Sequence, residues 1–264
     1  MQRKTTKIIA FANNKGGSGK TTTCSNIGAA LSESGKKVLL IDCDMQVNLT
    51  LSFFGEDETL GFSESGKNIY TALKEEKDLT DFIVKTAYNG LYIVPSSPLM
   101  SSAEYDLFTK MQREFVLKRC LKNVKESGEY DYVLIDAPPT LACLVTNILC
   151  ASDFVIVPVE ASPWGLFGLA NVYEFVEKVR QISPALKIAG VAITKADARK
   201  NYLRQTIEIL KKTDATRLFD TVIHTDSAVE WSQDDSRPVV FYKKNSRAAT
   251  EYINLSKEIE KICR

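Results

Sequence analysis

An eight-residue segment near the start of the 264-residue chain, KGGSGKTT at 15–22, has the residue types that bind phosphate groups. Its glycines let the backbone bend so that several N–H groups point at one anion. Lys20 can reach the β- and γ-phosphates of a nucleotide, and the Thr21 hydroxyl can ligate Mg²⁺. We predict nucleotide contacts from the whole segment: Lys15, Gly16, Gly17, Ser18, Gly19, Lys20, Thr21 and Thr22.

The segment departs in one respect from the general phosphate-loop pattern, G-x-x-x-x-G-K-[ST]. Gly19, Lys20 and Thr21 fill the last three places, but Asn14 stands at the first glycine position and an additional lysine, Lys15, follows it. An apolar strand is predicted before the loop, and a helix after it would add its positive end. A glycine-rich turn without a ligand is the alternative, and the flanking strand and helix disfavour it.

Three aspartates stand at the ends of later apolar runs: Asp42 and Asp44 in VLLIDCD, and Asp136 in YDYVLID. In an open parallel sheet, ligands bind outside the carboxyl ends of the strands, so these carboxylates should converge on the phosphate loop. An isolated aspartate at a strand end is more often a helix cap or a turn residue. Here we expect Asp136 to hold magnesium through water and Asp42 to support the ion and its waters. We expect Asp44 to position the attacking water. Phosphoryl transfer depends mostly on positioning and charge, so no nucleophilic side chain is needed.

Apolar runs alternate with helix candidates along the chain. The predicted strands are Lys7–Asn13, Lys37–Asp42, Gly90–Pro95, Tyr130–Asp136, Asp153–Val159, Lys187–Thr194 and Asp220–Ile223. The predicted helices are Lys20–Ser34, Ser101–Ser127, Trp164–Ile182, Lys200–Lys212 and Ser246–Ile262, and Phe53–Lys67 is predicted to be a mobile surface excursion. Because the apolar runs are continuous rather than alternating, they indicate strands buried on both faces. We therefore predict an α/β fold, a doubly wound, mostly parallel sheet flanked by helices, in a single domain over 1–264.

Composition is that of an ordinary globular enzyme, with 44% hydrophobic and 25% charged residues and a net charge of +1. No apolar run approaches the roughly 20 residues that cross a bilayer. The six cysteines have no C-x-x-C spacing, which favours reduced, buried thiols and a cytoplasmic location. Only about a dozen residues precede the loop, so we expect no N-terminal DNA-binding extension.

Several segments resemble the ParA/MinD family of deviant Walker-A ATPases, and the resemblance runs from end to end. NNKGGSGKTT at 13–22 matches the deviant loop, and LLIDCDMQVNLT at 39–50 resembles the family's D-x-D-x-Q-x-N segment. VPSSPLMSSAEYDL at 94–107 is similar to a P-S-x-x-L-x-x-x-E stretch, and 130–139 matches the second acidic strand. PVVFYKKNSRAATEY at 238–252 is similar to ParA/Soj partition proteins. The resemblance implies a P-loop fold and hydrolysis of ATP with Mg²⁺.

The resemblance also implies that Lys15 is a signature lysine, which crosses a nucleotide-sandwich homodimer to touch the phosphates bound by the partner subunit. Charge would then reach the transition state only once two subunits meet, so Lys15 would act in catalysis together with Lys20 and Asp44. Dimerisation would depend on ATP, and a ParB-like adaptor would stimulate a slow hydrolysis. The implied role is DNA partition or cargo positioning.

A departure from the family occurs where ParA-like proteins have a base-contacting loop similar to I-P-R-N, since this chain reads IHTD at 223–226. The base-contact candidates are Thr194, Lys195, His224, Thr225 and Asp226. An ordinary loop histidine without a catalytic part is the alternative for His224. TKAD at 194–197 is similar to the guanine-recognising T-K-x-D of signal-recognition GTPases, but the likeness elsewhere favours ATP.

DNA binding is the other open question. Thr225 and Ala228 stand where some family members have arginines that contact DNA non-specifically. From residue 195 to the end there are 14 Lys and Arg against 11 Asp and Glu, and Arg199, Lys200 and Arg204 could follow a phosphate backbone. A solvated helix face explains them equally well. The alternatives are a MinD-like membrane-positioning ATPase and a DNA-independent nucleotide switch. We expect no membrane partner because the tail, EIEKICR, lacks a basic, aromatic-bearing face.

Overall fold

A seven-stranded sheet forms the centre of the computed structural model, which describes residues 5–212 and 217–263. The strands are β1 (Lys7–Phe11), β2 (Val38–Asp42), β3 (Val84–Lys85), β4 (Leu91–Val94), β5 (Tyr132–Asp136), β6 (Phe154–Glu160) and β7 (Lys187–Thr194). Their order across the sheet is β3-β4-β2-β5-β1-β6-β7. Only β3 runs antiparallel to its neighbour, so the sheet is mostly parallel, as predicted.

Helices connect these strands and cover both faces of the sheet. They are α1 (Lys20–Glu33), α2 (Asn48–Leu51), α3 (Glu56–Glu64), α4 (Ile69–Glu75), α5 (Ala103–Phe108), α6 (Val116–Cys120), α7 (Lys122–Ser127), α8 (Cys143–Ala151), α9 (Pro163–Arg180), α10 (Asn201–Lys212), α11 (Ser227–Asp234), α12 (Val239–Tyr242) and α13 (Arg247–Ile262). Short 3-10 turns lie at Leu79–Phe82, Pro98–Ser102 and Arg113–Phe115.

Two hydrophobic clusters, one on each face of the sheet, explain why the strands are continuously apolar. In β1, Ile8 and Ala10 belong to the cluster shared with α4 to α10. Ile9 and Phe11 belong to the cluster shared with α1, α2 and α11 to α13. Successive side chains of a strand point to opposite faces, so a sheet covered on both sides requires an apolar residue at every position. The doubly wound architecture is confirmed.

The strand register brings the predicted acidic residues to one edge of the sheet. Phe11, the last residue of β1, pairs with Asp136 of β5, and Asp136 pairs on its other side with Asp42 of β2. The loop at 13–19 leaves the same edge directly after β1. Side chains far apart in sequence therefore meet where the central three parallel strands end.

The predicted strand at Asp220–Ile223 is wrong, because two of its backbone N–H groups bind a side chain of α13. Isolated bridges join Leu218 and His224 to the β7 side, but no continuous ladder forms between them. The backbone N–H groups of Asp220 and Thr221 donate instead to the Glu258 carboxylate of α13, at 2.8 and 2.9 Å. A side chain thus takes the donors that a strand would have offered to β7.

Three further segments differ from their predictions. The two-residue edge strand β3 was missed because it is too short to show a pattern. The single helix predicted over Ser101–Ser127 is broken into α5, a 3-10 turn, α6 and α7, with Gln112 in the left-handed region at φ 48°. The excursion predicted at Phe53–Lys67 is largely helical. Acidic residues fill the first turn of α3, where the helix dipole favours them, and Phe62 packs edge-to-face on Phe54.

The last helix, α13, packs against α1 and α12 and contributes side chains to the core. Its residues Leu255 and Ile259 are fully buried in the cluster that also contains α1. Within residues 5–212 and 217–263, no helix has the length and apolarity that crossing a bilayer would require.

Candidate nucleotide site

The loop between β1 and α1 has the bent backbone that its glycines predict. Gly17 and Gly19 lie in the left-handed region, at φ 74° and 83°, a conformation that side chains other than glycine rarely adopt. The Thr194 hydroxyl at the end of β7 donates to the carbonyl of Ser18 at 2.8 Å. A Cβ built on Gly19 would lie 3.3 Å from that threonine, so the loop is pressed against the strand end.

A cavity of about 460 Å³ opens over this loop. It is lined by Gly16, Gly17, Ser18, Gly19, Lys20, Thr21, Thr22, Asp44, Gln46, Asn48, Leu51, Ser52, Pro139, Lys195 and Gln233. All of the predicted loop residues from Gly16 to Thr22 therefore face one space, and Asp44 and Lys195 join them. The cavity lies outside the carboxyl ends of parallel strands, where ligands of such sheets bind.

Lys20 brings a buried positive charge to the floor of this cavity. Only 6% of the residue is exposed, and its Nζ lies 3.4 Å from the carbonyl oxygen of Lys15. Burial lowers the pKa of Lys20, and the nearby carboxylates of Asp136 and Asp44 counteract that effect. Within the described residues this desolvated ammonium makes one long hydrogen bond, so it is suited to a phosphate oxygen, which would supply further acceptors.

Thr21 and Asp136 form the arrangement expected of a magnesium site. The Thr21 hydroxyl donates to Oδ2 of Asp136 at 2.7 Å, which leaves its own lone pairs for a cation. Oδ1 of Asp136 is buried and has no hydrogen-bond partner among the described residues. Burial raises the pKa of Asp136 well above its usual range, and Asp42 adds to the rise. A divalent cation favours the ionised carboxylate, and hydroxyl and carboxylate oxygens are ligands that Mg²⁺ accepts. These residues fit the ion.

Asp42 is placed differently from Asp136. It is fully buried, and Oδ2 accepts from the backbone N–H and hydroxyl of Thr50, at 2.8 and 2.7 Å. Oδ1 accepts from the backbone N–H of Asp44 at 3.1 Å. Burial raises the pKa of Asp42 to about 6. With both oxygens engaged, Asp42 fixes the turn that carries Asp44, a placement that favours the supporting role over direct contact with a metal.

Asp44 itself faces the cavity. Its Oδ1 accepts from the backbone N–H of Gln46 at 3.1 Å, and Ser96 donates its hydroxyl to the Asp44 carbonyl at 2.7 Å. Oδ2 makes no hydrogen bond with any residue that the structure describes. One carboxylate oxygen on a fixed turn is therefore available for a water molecule in the cavity, which is the geometry that the catalytic prediction requires.

Lys15, in contrast, is held outside the cavity by its own chain. Its Nζ lies 2.6 Å from Oε2 of Glu160, at the end of β6, and donates to Ser162 Oγ at 3.2 Å. Asn13 fixes the start of the loop, because its side chain accepts from the Lys15 N–H and donates to the Pro158 carbonyl. The structure separates the two lysines, with Lys20 inside the cavity and Lys15 beside it.

A second cavity, of about 280 Å³, adjoins the first and contains the predicted base contacts. The two share Gly19, Thr22, Lys195 and Gln233. The second is also lined by Thr194, Ile223, His224, Thr225, Asp226, Val229, Glu230 and Tyr252. Asp226 has mainly a structural part, since Oδ1 caps α11 at Ala228 N and Oδ2 accepts from Ala248 N of α13. The space is placed to receive a base whose phosphates lie on the loop.

The position of Asp197 does not support recognition of guanine by the TKAD segment at 194–197. This residue does not line either cavity. The Arg199 guanidinium donates a hydrogen bond to each of its two carboxylate oxygens, both at 3.0 Å. These bonds lower the pKa of Asp197 to about 2. The carboxylate that would read guanine is therefore engaged elsewhere.

The candidate DNA contacts lie along α10 and the turn before it. Arg199 is paired with Asp197, and Arg204 with Glu208 at 3.3 Å, while Lys200 has no ion-pair partner among the described residues. A groove of about 440 Å³ runs beside them, lined by Ala198, Lys200, Asn201, Leu203, Arg204, Ile207, Glu208 and Lys211. Two of the three predicted cations thus already have carboxylate partners, which reduces the charge that this face offers to DNA.

Sequence reasoning missed several residues of the site. Gln46 and Asn48 belong to the D-x-D-x-Q-x-N segment, so the motif could have identified them as cavity residues. Glu160 could have been found as a fourth carboxylate at a strand end. Gln233, whose side chain donates to the Thr22 hydroxyl at 3.1 Å, carries no local signal, because tertiary packing alone brings α11 to the loop.

Comparisons with known proteins agree with this geometry. The AAA domain family matches residues 6–188. The sporulation initiation inhibitor protein Soj of Bacillus subtilis is 38% identical over 254 residues, which are 96% of this chain and 98% of Soj. The chromosome partitioning protein ParA of Caulobacter vibrioides is 33% identical, over 96% of this chain and 93% of its own.

Solved structures share the fold along nearly the whole chain. A plasmid partition protein from Borrelia burgdorferi B31, bound to AMPPNP, has a TM-score of 0.83 and 30% identity, over 97% of this chain and 99% of its own. A cobyrinic acid a,c-diamide synthase from Mycobacterium smegmatis, with bound ADP and magnesium, has a TM-score of 0.82 and 29% identity, over 98% and 97%. The chain therefore belongs to the AAA domain family as a P-loop ATPase of the ParA/Soj type, with a deviant Walker-A loop.

Proposed function

We propose that this chain is a partition ATPase in which MgATP assembles a homodimer, the dimer holds DNA without sequence preference, and a ParB-like adaptor stimulates hydrolysis. The observation that carries the proposal is the pairing of an anion cradle with a cation site. Lys20 lies among the backbone amides of the loop, and the unpartnered oxygen of Asp136 lies behind Thr21. Such a site needs a ligand with phosphates and a divalent ion together.

Each side chain then has a defined task. Lys20 and the loop amides bind the terminal phosphates, and Thr21 with Asp136 would hold Mg²⁺, which neutralises phosphate charge. Asp44 orients a water molecule with its unoccupied oxygen, while Asp42 and Thr50 keep its turn in place. Lys15 does not join this set within one chain, because its ammonium is bound to Glu160.

A second copy of the chain would supply the additional lysine. Lys15 of each subunit would leave Glu160 and reach the phosphates of its partner, completing two sites at once. Hydrolysis then waits for dimerisation, which is how a partition protein couples its nucleotide cycle to position.

Two substitutions separate these roles in one experiment. We expect Lys20→Ala to abolish nucleotide binding, because the buried cradle loses its charge. Lys15→Ala should still bind ATP but should neither dimerise nor hydrolyse it. Sedimentation velocity with MgATP, MgADP or no nucleotide, beside a phosphate-release assay, measures both effects. Wild-type hydrolysis and dimerisation by Lys15→Ala would show that the lysine does not act across subunits.

The role in DNA partition is supported by the ParA and Soj relatives and by the basic groove along α10. One observation favours a DNA-independent switch instead, namely that Arg199 and Arg204 already pair with carboxylates. The partition proposal requires that phosphate groups displace these carboxylates. The two arginine side chains are 90% and 88% exposed, so water screens both pairs. Nucleoid association would follow from such binding.

A gel shift with ATP, ADP and no nucleotide decides between the two functions. We expect a salt-sensitive shift with ATP only, lost when Arg199, Lys200 and Arg204 are changed together to Glu. The matched control changes Lys67, Lys85 and Lys122 to Glu, which are exposed lysines outside the groove. No shift under any nucleotide condition favours the switch, and equal loss in the control shows that only net charge matters.

A further inference from the structure

The single histidine of the chain occupies a defined place in the second cavity. His224 lines that space together with Thr194, Lys195 and Thr225. Its side chain is 16% exposed, and two contacts fix it to Glu251 of α13. The His224 backbone N–H donates to Oε2 at 2.8 Å, and ring Nδ1 lies 2.8 Å from Oε1. The two carboxylate oxygens of Glu251 therefore both contact His224.

These contacts determine which ring nitrogen carries the proton. An ionised carboxylate only accepts hydrogen bonds, so Nδ1 must donate to Glu251. In the neutral imidazole the other nitrogen, Nε2, is then an acceptor. Nε2 has no hydrogen-bond partner among the described residues, and Arg247 Nε donates to Oε1 of the same carboxylate at 2.7 Å. A residue that lines the cavity thus has an acceptor whose direction is set by a second residue.

We propose that the His224–Glu251 pair makes the base cavity selective for adenine over guanine. Adenine presents an exocyclic amine, a donor, where guanine presents a carbonyl oxygen. Nε2 accepts a hydrogen bond from the amine, whereas the guanine oxygen would place two acceptors against each other. His224 is the specificity-determining residue, and Glu251 is a positioning residue that fixes its tautomer. The inference rests on the proposed binding of a nucleoside triphosphate on the loop.

The other candidate for reading the base does not compete with this pair. Asp197, which could accept from the amino edge of guanine, is held by Arg199 and lies outside the cavity lining. Asp226 lines the cavity, but both of its carboxylate oxygens accept backbone N–H groups. His224 differs from both aspartates, because it lines the cavity, keeps Nε2 without a partner among the described residues and is held in place by Glu251.

The first test compares calorimetric dissociation constants for MgATP and MgGTP. We expect wild type to prefer ATP by at least about 10-fold, because an unpaired polar group in a cavity is costly. His224→Phe should reduce that ratio to about 1 to 3, because the ring shape remains while the acceptor is lost. An unchanged ratio in His224→Phe, or equal affinities in wild type, overturns this inference alone. Failure to bind either nucleotide overturns the proposed function as well.

Glu251→Gln provides a sharper test, since a merely structural role would not alter base preference. Arg247, whose side chain is 54% exposed, can leave the position of Oε1, whereas the His224 backbone N–H cannot move away from the position of Oε2. The amide oxygen then accepts from that N–H, so the amide NH₂ faces Nδ1 and moves the ring proton to Nε2. We expect preference to shift toward GTP. Glu258→Gln is the matched control, because Glu258 lies on the same helix and also accepts backbone N–H groups from this segment. Its ratio should equal that of wild type, and the same shift in both variants overturns the positioning role.

Nitrogen-15 NMR tests the tautomer without any nucleotide. The spectrum contains one imidazole, because His224 is the only histidine. In mildly alkaline buffer we expect the shifts of a protonated Nδ1 and an unprotonated Nε2 in wild type, and the reverse in Glu251→Gln. A wild-type spectrum with the proton on Nε2, or on both nitrogens, overturns the inference.

Discussion

Replacing Glu160 by glutamine tests whether the chain restrains its own signature lysine. Glu160 Oε2 lies 2.6 Å from Lys15 Nζ, and the two side chains are 35% and 28% exposed. Glutamine has nearly the same size and can still accept a hydrogen bond, but it removes the charge. Lys15 must leave this partner before it can reach the nucleotide of a second subunit, so we expect the substitution to favour dimerisation.

The magnitude follows from the exposure of the pair. A partly exposed ion pair contributes about 0.5–1 kcal/mol, because water screens the charges and two flexible side chains lose entropy. A symmetric dimer releases two lysines, so the dimerisation free energy should improve by about 1–2 kcal/mol. That corresponds to a dimer dissociation constant about 5- to 30-fold lower.

Sedimentation velocity with a non-hydrolysable ATP analogue and Mg²⁺ measures this constant without turnover. The matched control is Glu174→Gln on α9, which removes an exposed ion pair with Lys178 and should change nothing. If Glu160→Gln dimerises no more tightly than wild type, the ion pair with Lys15 is not a restraint. Weaker dimerisation would indicate that Glu160 contributes to the dimer itself.

Three further changes test separate parts of the site. Burial raises the pKa of Asp42 from 3.8 to about 6, so its contribution to folding is present below about pH 3.8 and lost as the pH rises through 6. In urea unfolding of the nucleotide-free protein, Asp42→Asn should make the fall in the free energy of unfolding between those pH values smaller by about 3 kcal/mol, while the part due to Asp136 remains. Gly19→Ala should weaken calorimetric ATP binding at least about 10-fold, because φ 83° strains a side chain by about 1–2 kcal/mol and Thr194 is 3.3 Å away. Asp226→Ala should lower the free energy of unfolding by about 1–2 kcal/mol in urea, whereas Asp226→Asn, which can still cap α11, should lose less.

The central part of the fold could be predicted because its signals are local. Six of the seven predicted apolar runs are strands, since burial on both faces leaves an uninterrupted apolar sequence. The error at Asp220–Ile223 has a distant cause, as Glu258 takes its backbone donors from 37 and 38 residues away. The break in Ser101–Ser127 depends on a left-handed Gln112, a residue with no strong preference for that conformation.

The site divides in the same way. The glycines, lysines and strand-end carboxylates of the site could be identified from the sequence, because binding phosphate and magnesium requires those residue types at those positions. The separate contacts that each of these side chains makes could not be predicted from the sequence. Only the structure shows that Thr50 engages one oxygen of Asp42 and that Glu160 holds Lys15. It also shows that Asp136 keeps an oxygen without a partner among the described residues. These contacts join elements far apart in sequence, and no spacing encodes them.

Isothermal titration calorimetry of wild type with ATP, in the presence and absence of Mg²⁺, tests most directly whether the loop at 15–22 holds nucleotide phosphates. The site predicts one ATP per chain, with tighter binding when Mg²⁺ can join Thr21 and Asp136. No heat of binding from any nucleoside triphosphate with Mg²⁺ would contradict the assignment of the loop, the metal site and the activity together.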